Sequence, residues 1–315
     1  MKAFLKWIFI GVAISAPVFY QLFLSPPPEP VSFQWTMVNV NTGPQQGDAH
    51  VLRGPGQKTV LIDVGEERMA RENLLPFLKK RGYTKIEEIL ITHPHWDHYG
   101  GLIPLLEDPD FRIGRICMGA VSAKRCEAES WTCSMEQLER IRRLAQRRGI
   151  LLTDYKGWEE TAWGPAVRLH RLFQFDEDSL PVTGGGMNDQ SLIAVLEVGK
   201  FRTLFTGDLN STLSRWIVEN HADKIQADIL KVPHHGVESL AVNEFFEAVK
   251  PRYALVPVPQ KTWCSERGRR TRRVLERLGV RPMVNGFHGN VTVSFSEDKI
   301  QIQPQREWAG VTCVD

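Results

Sequence analysis

The sequence has 315 residues, which is too long for one minimal domain and suits either one large α/β domain or two small ones. Hydrophobic residues make up 42% and charged residues 24%, so a wholly disordered chain and a collagen-like or coiled-coil rod are excluded. Lysine and arginine number 39 against 37 acidic residues, and a net charge of +2 argues against a globally basic nucleic-acid coat while leaving local patches open.

The amino terminus carries an apolar run at residues 7–24, preceded by Lys2 and Lys6. As a helix this run spans about 27 Å, close to the hydrocarbon thickness of a bilayer. We therefore expect residues 1–24 to be either a membrane anchor or a signal segment, although Pro17 disfavours cleavage after the small residues 13–16. An apolar helix buried in the fold is the third alternative. In the first two cases the protein is membrane-anchored or exported, with its folded part on the non-cytoplasmic side.

Prolines dominate residues 25–30, which predicts a stiff spacer, and the folded domain is expected over residues 31–315. Strands are expected at 33–40, 49–53, 59–64, 86–92, 167–173, 191–198, 202–206, 229–232 and 253–258, and a closing hairpin at 290–295 and 300–303. Helices are expected at 68–81, 134–149, 242–249 and 270–278. Strands and helices mix in both halves, which predicts an α/β fold of four layers, with two stacked sheets and helices outside.

The five cysteines are too few and too scattered for a disulfide scaffold, and the absence of a CxxC pair disfavours a cysteine zinc site. Cys126 and Cys133 can pair in an oxidising compartment, and the sequence leaves this open.

The strongest chemical signal is a group of histidines and one aspartate directly after the predicted strand at 86–92. In extended backbone His93 and His95 share a face, so both imidazoles can reach one cation. Asp97 and His98 follow where the chain turns toward a helix, and they predict a second position beside the first. Imidazole and carboxylate suit Zn²⁺, Mn²⁺ or Fe. The alternative, a polar surface run, fits poorly behind an apolar strand.

Three other apolar strands end in a carboxylate or imidazole with glycine nearby. These ends carry Asp63, Asp208 and the adjacent His234 and His235. Glycine allows backbone or ligand to approach closely. Taken singly, each aspartate is also compatible with an ordinary turn or cap residue.

The pattern His93-x-His95-x-Asp97-His98 resembles the signature of the metallo-β-lactamase fold superfamily, and the order of the other strand ends matches its successive metal motifs. Five phrases resemble the lactamase-like domain of the DNA-uptake channel protein ComEC and its free-standing relatives: Gln46-Gly47-Asp48-Ala49, Val60-Leu61-Ile62-Asp63-Val64-Gly65, Leu204-Phe205-Thr206-Gly207-Asp208, Lys231-Val232-Pro233-His234-His235-Gly236 and Gly289-Asn290-Val291-Thr292-Val293. The similarity runs from about residue 35 to residue 303. The multi-spanning channel of ComEC has no counterpart here.

This resemblance implies a four-layer αββα sandwich of two mixed β-sheets and one or two cations, Zn²⁺ or Mn²⁺, with Asp208 as the bridging ligand. The implied metal ligands are His93, His95, Asp97, His98, Asp208 and His234. The implied catalytic residues are Asp97, Asp63 and His235, with Asp63 orienting a histidine. Which of His234 and His235 binds metal stays open at this point.

Many superfamily members carry a further histidine ligand where this chain has residues 184–191, and no histidine occurs there. Asn188 or Asp189 can reach the site instead, behind a flexible loop that begins with three glycines. His170, nearby in sequence, is expected to be structural. Substrate contacts are expected from Asn188, Ser191 and Lys231, although strand alternation equally allows Lys231 to be buried or to face away.

The resemblance implies a metal-dependent hydrolase that uses a metal-bound hydroxide, with phosphodiesters, nucleic acid among them, as the first substrate class. Alternatives are a lactonase, lactamase or thioesterase, and a noncatalytic metal-binding module at the membrane. An arginine run can bind a phosphodiester backbone, or it forms the solvated face of a helix. Its members are Arg267, Arg269, Arg270, Arg272 and Arg273.

Overall fold

The computed structural model describes residues 33–41, 45–237, 241–307 and 313. The expected anchor or signal segment at 1–24 and the expected spacer at 25–30 lie outside the described residues. Among the helices of the described ranges, none combines the length and the apolar character needed to cross a membrane.

Eight strands form the first sheet, in the order β15-β14-β1-β2-β3-β4-β5-β6. Strands β3 to β6 run parallel to one another, and the remaining pairs are antiparallel. The bounds are Phe33–Met37 (β1), Ala49–Arg53 (β2), Thr59–Val64 (β3), Lys85–Ile91 (β4), Arg112–Met118 (β5), Leu151–Thr153 (β6), Val291–Phe295 (β14) and Ile300–Pro304 (β15).

Seven strands form the second sheet, in the order β13-β12-β11-β10-β9-β8-β7. Strands β10 to β13 are parallel, and β7 to β10 are antiparallel, so both sheets are mixed. The bounds are Glu160–Ala162 (β7), Val167–Phe173 (β8), Ile193–Val198 (β9), Phe201–Phe205 (β10), Ile229–Lys231 (β11), Tyr253–Val256 (β12) and Arg281–Val284 (β13).

Strand periodicity explains how the sheets stack. In β3, Val60 and Ile62 belong to a core shared by both sheets, whereas Leu61 packs under the helices on the outer face. In β9, Leu196 joins the shared core and Val195 packs under the other helical layer. Successive side chains of a strand point to opposite faces, so apolar strands buried on both sides require four layers. The predicted αββα architecture is therefore confirmed.

The outer helices cover one sheet each. The first layer contains Glu67–Met69, the π-type turn Ala70–Leu74, Leu75–Lys80, Leu102–Glu107, Ala123–Ala128 and Met135–Arg147. The second contains Ser211–His221, Asn243–Val249, Gln260–Trp263 and Glu266–Arg277. Short helical segments occur at Pro55–Gln57, Trp96–Tyr99, Tyr155–Gly157, Met187–Gln190, Pro233–Gly236 and Asn285–His288.

Two features of the fold were not expected from the sequence. The carboxyl-terminal hairpin β14–β15 pairs with β1, so it completes the first sheet although it follows the second in sequence. Two disulfides are also present, Cys126–Cys133 and Cys264–Cys313, of which the sequence had raised only the first.

Candidate metal centre

The predicted site residues follow the carboxyl ends of parallel strands in both sheets. The histidine cluster follows β4 beside β3, and Asp208 and His235 follow β10 and β11 in the other sheet. His98 Nε2 lies 3.3 Å from Asp208 Oδ2, so residues more than one hundred positions apart meet at one edge of the sandwich. The fold thus brings these strand ends together.

Asp208 lies at the centre of this cluster. Its Oδ2 lies 3.3 Å from His98 Nε2 and 3.2 Å from His235 Nε2. His235 Nε2 is also 3.2 Å from Asp97 Oδ2. Within the described residues, four overlapping triads have ligand atoms that lie within 4.8 Å of one another, and two of them consist only of residues that follow β4, β10 and β11. These two triads are His93, His98 and Asp208, and Asp97, His98 and His235.

The donor atoms of the cluster fit a divalent cation. In the described part of the chain, Nε2 of His93, His98 and His235 is buried and finds no hydrogen-bond partner. An unsatisfied buried polar atom is costly, and three of them beside one carboxylate need a common partner. Imidazole nitrogen and carboxylate oxygen are the ligands of zinc, manganese and iron sites, so the residues present match the metal that the sequence predicts.

Asp63 orients His98 from the side opposite the cluster. Its carboxylate accepts hydrogen bonds from the Thr92 amide at 2.7 Å, the Thr92 hydroxyl at 2.8 Å and His98 Nδ1 at 2.8 Å. These contacts occupy both oxygens and hold the Nδ1 proton of His98, so that Nε2 is the ring atom that faces the cluster. A carboxylate on the second nitrogen of a metal-binding histidine is the usual supporting arrangement.

Lys231 has a different position from the one expected of a substrate contact. Its side chain is 1% exposed, and its ammonium forms an ion pair with Asp48. It also donates to the Gly207 carbonyl at 2.8 Å and lies 3.5 Å from Asp208 Oδ1. The ammonium is therefore occupied by buried acceptors, and we assign Lys231 to charge balance instead of substrate binding.

Asp48 is a site residue to which sequence reasoning gave no role. Its carboxylate bridges Lys231 and His235, with Oδ1 3.0 Å from His235 Nδ1. Its amide donates to the Asp97 carbonyl at 3.2 Å, which ties the loop before β2 to the histidine cluster. The phrase around Asp48 carried the family resemblance and was the only sequence signal for it.

Electrostatics in the cluster follow from burial and opposed charge. Burial favours the neutral acid, but the positive charges of His235, His98 and Lys231 together outweigh it and hold the pKa of Asp208 well below its usual value. For His98 and His235 burial alone would lower the pKa, and neighbouring carboxylates, first Asp208, raise it well above the usual histidine value. Burial lowers the pKa of His93 well below that value. A cation that replaces protons on His98 and His235 therefore keeps the charge compensation.

The two adjacent histidines, which the sequence did not separate, differ in position. His235 is fully buried against Asp97 and Asp208, whereas the His234 side chain is 19% exposed. His234 Nε2 lies 3.9 Å from Asp208 Oδ2, and its Nδ1 is 2.9 Å from Asn210 Oδ1. His234 therefore lies at the rim, and His235 lies inside the cluster.

His95 lies beside His93, with ring centroids 4.5 Å apart, but it belongs to neither triad. Its Nε2 instead lies 3.1 Å from Glu129 Oε2. Glu129 was missed by the sequence reasoning because it belongs to neither a strand end nor a recognised motif.

The segment without a histidine contributes supporting contacts. The Ser191 hydroxyl accepts a hydrogen bond from the Asp208 amide at 2.9 Å. Asp189 Oδ1 accepts from the Asn210 amide at 3.0 Å, so its carboxylate caps backbone and joins neither triad. Asn188 Oδ1 is buried and has no hydrogen-bond partner among the described residues. His170, for which a structural role was expected, lies on β8 with Nε2 3.7 Å from Glu197 Oε1 and joins neither triad.

The arginine run lies on the Glu266–Arg277 helix, which begins four residues before the predicted start. Arg270 donates to the Ala241 carbonyl at 3.1 Å, and Arg272 donates to the Trp263 and Ser265 carbonyls. Arg269 pairs with Glu266. At least these three guanidinium groups therefore serve contacts within the protein.

Comparison with known proteins agrees with this geometry. The sequence profile of the Metallo-beta-lactamase superfamily matches residues 42–259. ComE operon protein 3 of Bacillus subtilis (strain 168) is 24% identical over 92% of this chain and 36% of its own length, which confirms the similarity to ComEC-type domains. Endoribonuclease YSH1 of Mycosarcoma maydis is 23% identical over 62% of this chain and 22% of its own. The chain thus spans about a third or less of these relatives.

Solved structures show the same fold. CmlA, a diiron beta-hydroxylase from Streptomyces venezuelae, matches 85% of this chain and 55% of its own, with a TM-score of 0.50 and 14% sequence identity.

Proposed function

Because the chain belongs to the metallo-beta-lactamase superfamily, we propose that it is a hydrolase that depends on one or two divalent cations and cleaves phosphodiesters, with nucleic acid as the favoured substrate. The observation that carries this proposal is the meeting of three buried, unsatisfied imidazole nitrogens around Asp208. The same donor set fits zinc and manganese, the two metals expected from the sequence.

The proposed ligands are His93, Asp97, His98, Asp208 and His235. Asp208 would serve both cation positions, because its Oδ2 lies within 3.3 Å of His98 Nε2 and 3.2 Å of His235 Nε2. His95 remains a proposed ligand through Nδ1, since Glu129 occupies its Nε2.

Cations held there supply Lewis-acid polarisation of the phosphoryl oxygen and lower the pKa of water toward neutrality. The chain's own residues supply the rest. Asp63 and Asp48 hold the His98 and His235 rings in one tautomer each. Asp97, whose side chain is 24% exposed, is the most accessible carboxylate of the cluster and is the proposed proton acceptor for water. His234, at the rim beside Asn210, is the proposed contact for substrate or leaving group.

The substrate class rests on different support. One relative is named an endoribonuclease, which is a phosphodiester-cleaving activity. Exposed Arg273 lines a surface cavity of about 340 Å³ together with Arg269, Arg270 and Arg277. A cationic cavity on the outer helix suits a polyanionic chain, so we propose this helix as an accessory nucleic-acid surface. Fewer arginines are available there than the sequence run suggests, because at least three of them contact other groups of the protein.

The test combines metal analysis with turnover of bis(p-nitrophenyl) phosphate, plasmid DNA, RNA and nitrocefin. Asp208→Ala and His235→Ala should lose both bound metal and phosphodiester cleavage. His170→Gln, on β8 and paired with Glu197, is the matched control and should retain both. Cleavage of nitrocefin alone would instead establish a lactamase. Bound metal without any turnover would support the noncatalytic module.

We further propose that residues 1–24 anchor or export the domain, which begins near residue 31, to the non-cytoplasmic side. The two disulfides support this placement, because disulfides persist in oxidising compartments and are rare in the cytosol. Thiol counting on protein isolated from the cell envelope tests it: only Cys117 should react after denaturation without reductant, since the other four cysteines are paired. Five reactive thiols would contradict the assignment.

A further inference from the structure

A disulfide closes a short loop against the histidine cluster. The Cys126–Cys133 bond joins the end of the Ala123–Ala128 helix to the residue before Ser134, which caps the Met135–Arg147 helix. We call residues 126–133 the disulfide loop. Both of its cysteines are buried in the core of the first helical layer, so the ends of the loop are fixed.

Glu129 is the point at which this loop contacts the site. Its Oε2 lies 3.1 Å from His95 Nε2, and its Oε1 accepts a hydrogen bond from the Met187 amide at 3.0 Å. Both carboxylate oxygens are thus used, one on the histidine cluster and one on the segment after the three glycines. The Glu129 side chain is 16% exposed, so water competes little for these contacts.

The loop also holds the backbone of the cluster. The Thr132 carbonyl accepts a hydrogen bond from the Trp96 amide at 2.7 Å, and Trp96 lies between His95 and Asp97 in sequence. The amides of Thr132 and Cys133 both donate to the Glu129 carbonyl at 3.0 Å. This internal turn and the disulfide together leave Glu129 little freedom to withdraw.

We propose that Glu129 is a positioning residue for cation binding and that the Cys126–Cys133 disulfide holds it in place. A carboxylate can only accept here, so His95 must carry its proton on Nε2 and present Nδ1 as the lone pair. The His95 ring stands beside His93, with centroids 4.5 Å apart, and we place its Nδ1 on the cation proposed for His93. This inference rests on the proposed function, because it presumes that the cluster binds a cation.

The expected size of the effect follows from similar supporting contacts. Removing the partner of a metal-binding histidine weakens metal affinity by about 10–100-fold. Glu129→Ala should therefore bind Zn²⁺ about 10–100-fold more weakly in competition with a chromophoric chelator. Glu129→Gln keeps an oxygen that can accept from His95 and should lie between Glu129→Ala and wild type. Glu127→Gln, an exposed neighbour in the same loop, is the matched control and should bind as wild type does.

The disulfide is tested separately. Replacing Cys126 and Cys133 by serine should weaken Zn²⁺ binding in the same direction as Glu129→Ala. The same exchange at Cys264 and Cys313, a disulfide that joins the second helical layer to the carboxyl terminus, should not. Circular dichroism of each metal-free variant establishes that it is folded, and if the first double variant is unfolded, the Glu129 series decides.

A spectroscopic readout separates positioning from general stabilisation. Co²⁺ in the wild-type site gives ligand-field bands whose position depends on the ligand nitrogens, and Glu129→Ala should shift these bands while Glu127→Gln leaves them unchanged. Equal Zn²⁺ affinities and equal Co²⁺ spectra for Glu129→Ala and wild type would overturn this inference alone. A wild-type chain that retains neither Zn²⁺, Mn²⁺ nor Co²⁺ would overturn the proposed function and this inference with it.

Discussion

Replacing Lys231 by methionine tests whether buried charge balance holds the metal-free site together. The ammonium is 1% exposed and forms ion pairs with Asp48 and Asp208, whose side chains are 1% and 2% exposed. Methionine has a similar length, so the substitution removes the charge and leaves little cavity. Breaking a buried pair by removing one partner costs about 3–5 kcal/mol, because the other charge stays buried without compensation.

That loss is a large share of the roughly 5–15 kcal/mol that stabilises an ordinary domain. At about 2–4 °C per kcal/mol, the melting temperature should fall by roughly 6–20 °C. Calorimetric melts in EDTA measure it, since a bound cation would stabilise the folded state by mass action and mask the effect. The double variant Lys231→Met with Asp48→Asn should recover about 1–3 kcal/mol, because one of the two stranded carboxylates is then neutral.

The matched control is Lys200→Met. Lys200 lies 2.6 Å from Asp298, but the two side chains are 58% and 82% exposed, and such pairs contribute about 0–1 kcal/mol. The reasoning about buried charge compensation is wrong if the free energy of unfolding of Lys231→Met lies within about 1 kcal/mol of the wild-type value. It is also wrong if adding Asp48→Asn makes the variant less stable still.

Three further predictions concern the same cluster. The pKa values of His98 and His235 are raised in the fold, so their contribution to the free energy of unfolding is complete below about pH 6.5 and is lost as the pH rises through the folded values. Urea melts in EDTA should therefore show lower stability at pH 8.5 than at pH 6. A rise in stability over that range would contradict the charge assignment. His235→Ala should lose bound metal, whereas His234→Ala should retain the metal and have a lower kcat. Metal lost from His234→Ala and retained by His235→Ala would instead identify His234 as the ligand. Gly207→Ala should lower the free energy of unfolding by at least about 1–3 kcal/mol in chemical denaturation, because φ is 48° and a Cβ would lie 2.5 Å from the Ser191 hydroxyl. An unchanged denaturation midpoint would show that the turn can relax.

Long, regular elements were predictable because a single pattern determined them. The bounds of β2, β3 and β8 match the expected ranges, and each strand combines apolar residues with a glycine close to one end. The Leu102–Glu107 helix was not predicted. Residues 102–106 are all buried, so the segment lacks the polar face that makes a surface helix recognisable. Strand β5 was missed in the same region, although it pairs with β4 through six residues.

The part of the site that was predictable also follows from local sequence patterns. His93, Asp97, His98 and Asp208 lie directly after apolar strands, and the structure brings them together as the motif order suggested. His234 and His235 were not separable, because both have left-handed backbone conformations, with φ of 48° and 54°. Strand alternation no longer dictates side-chain direction in such a turn. Only the tertiary structure shows which imidazole points inward.

Asp48, Lys231 and Glu129 show what kind of residue sequence patterns leave undetected. Each acts on another side chain, so its role depends on contacts across the fold and not on local spacing. Lys231 supplies one fixed positive charge for Asp48 and Asp208 on the side away from His98. The Nε2 atoms of His93, His98 and His235 are left without hydrogen-bond partners among the described residues. Because Lys231 already compensates the buried carboxylates, the site can fold before a cation binds. Because the imidazole nitrogens remain unsatisfied, it still requires a cation as their partner.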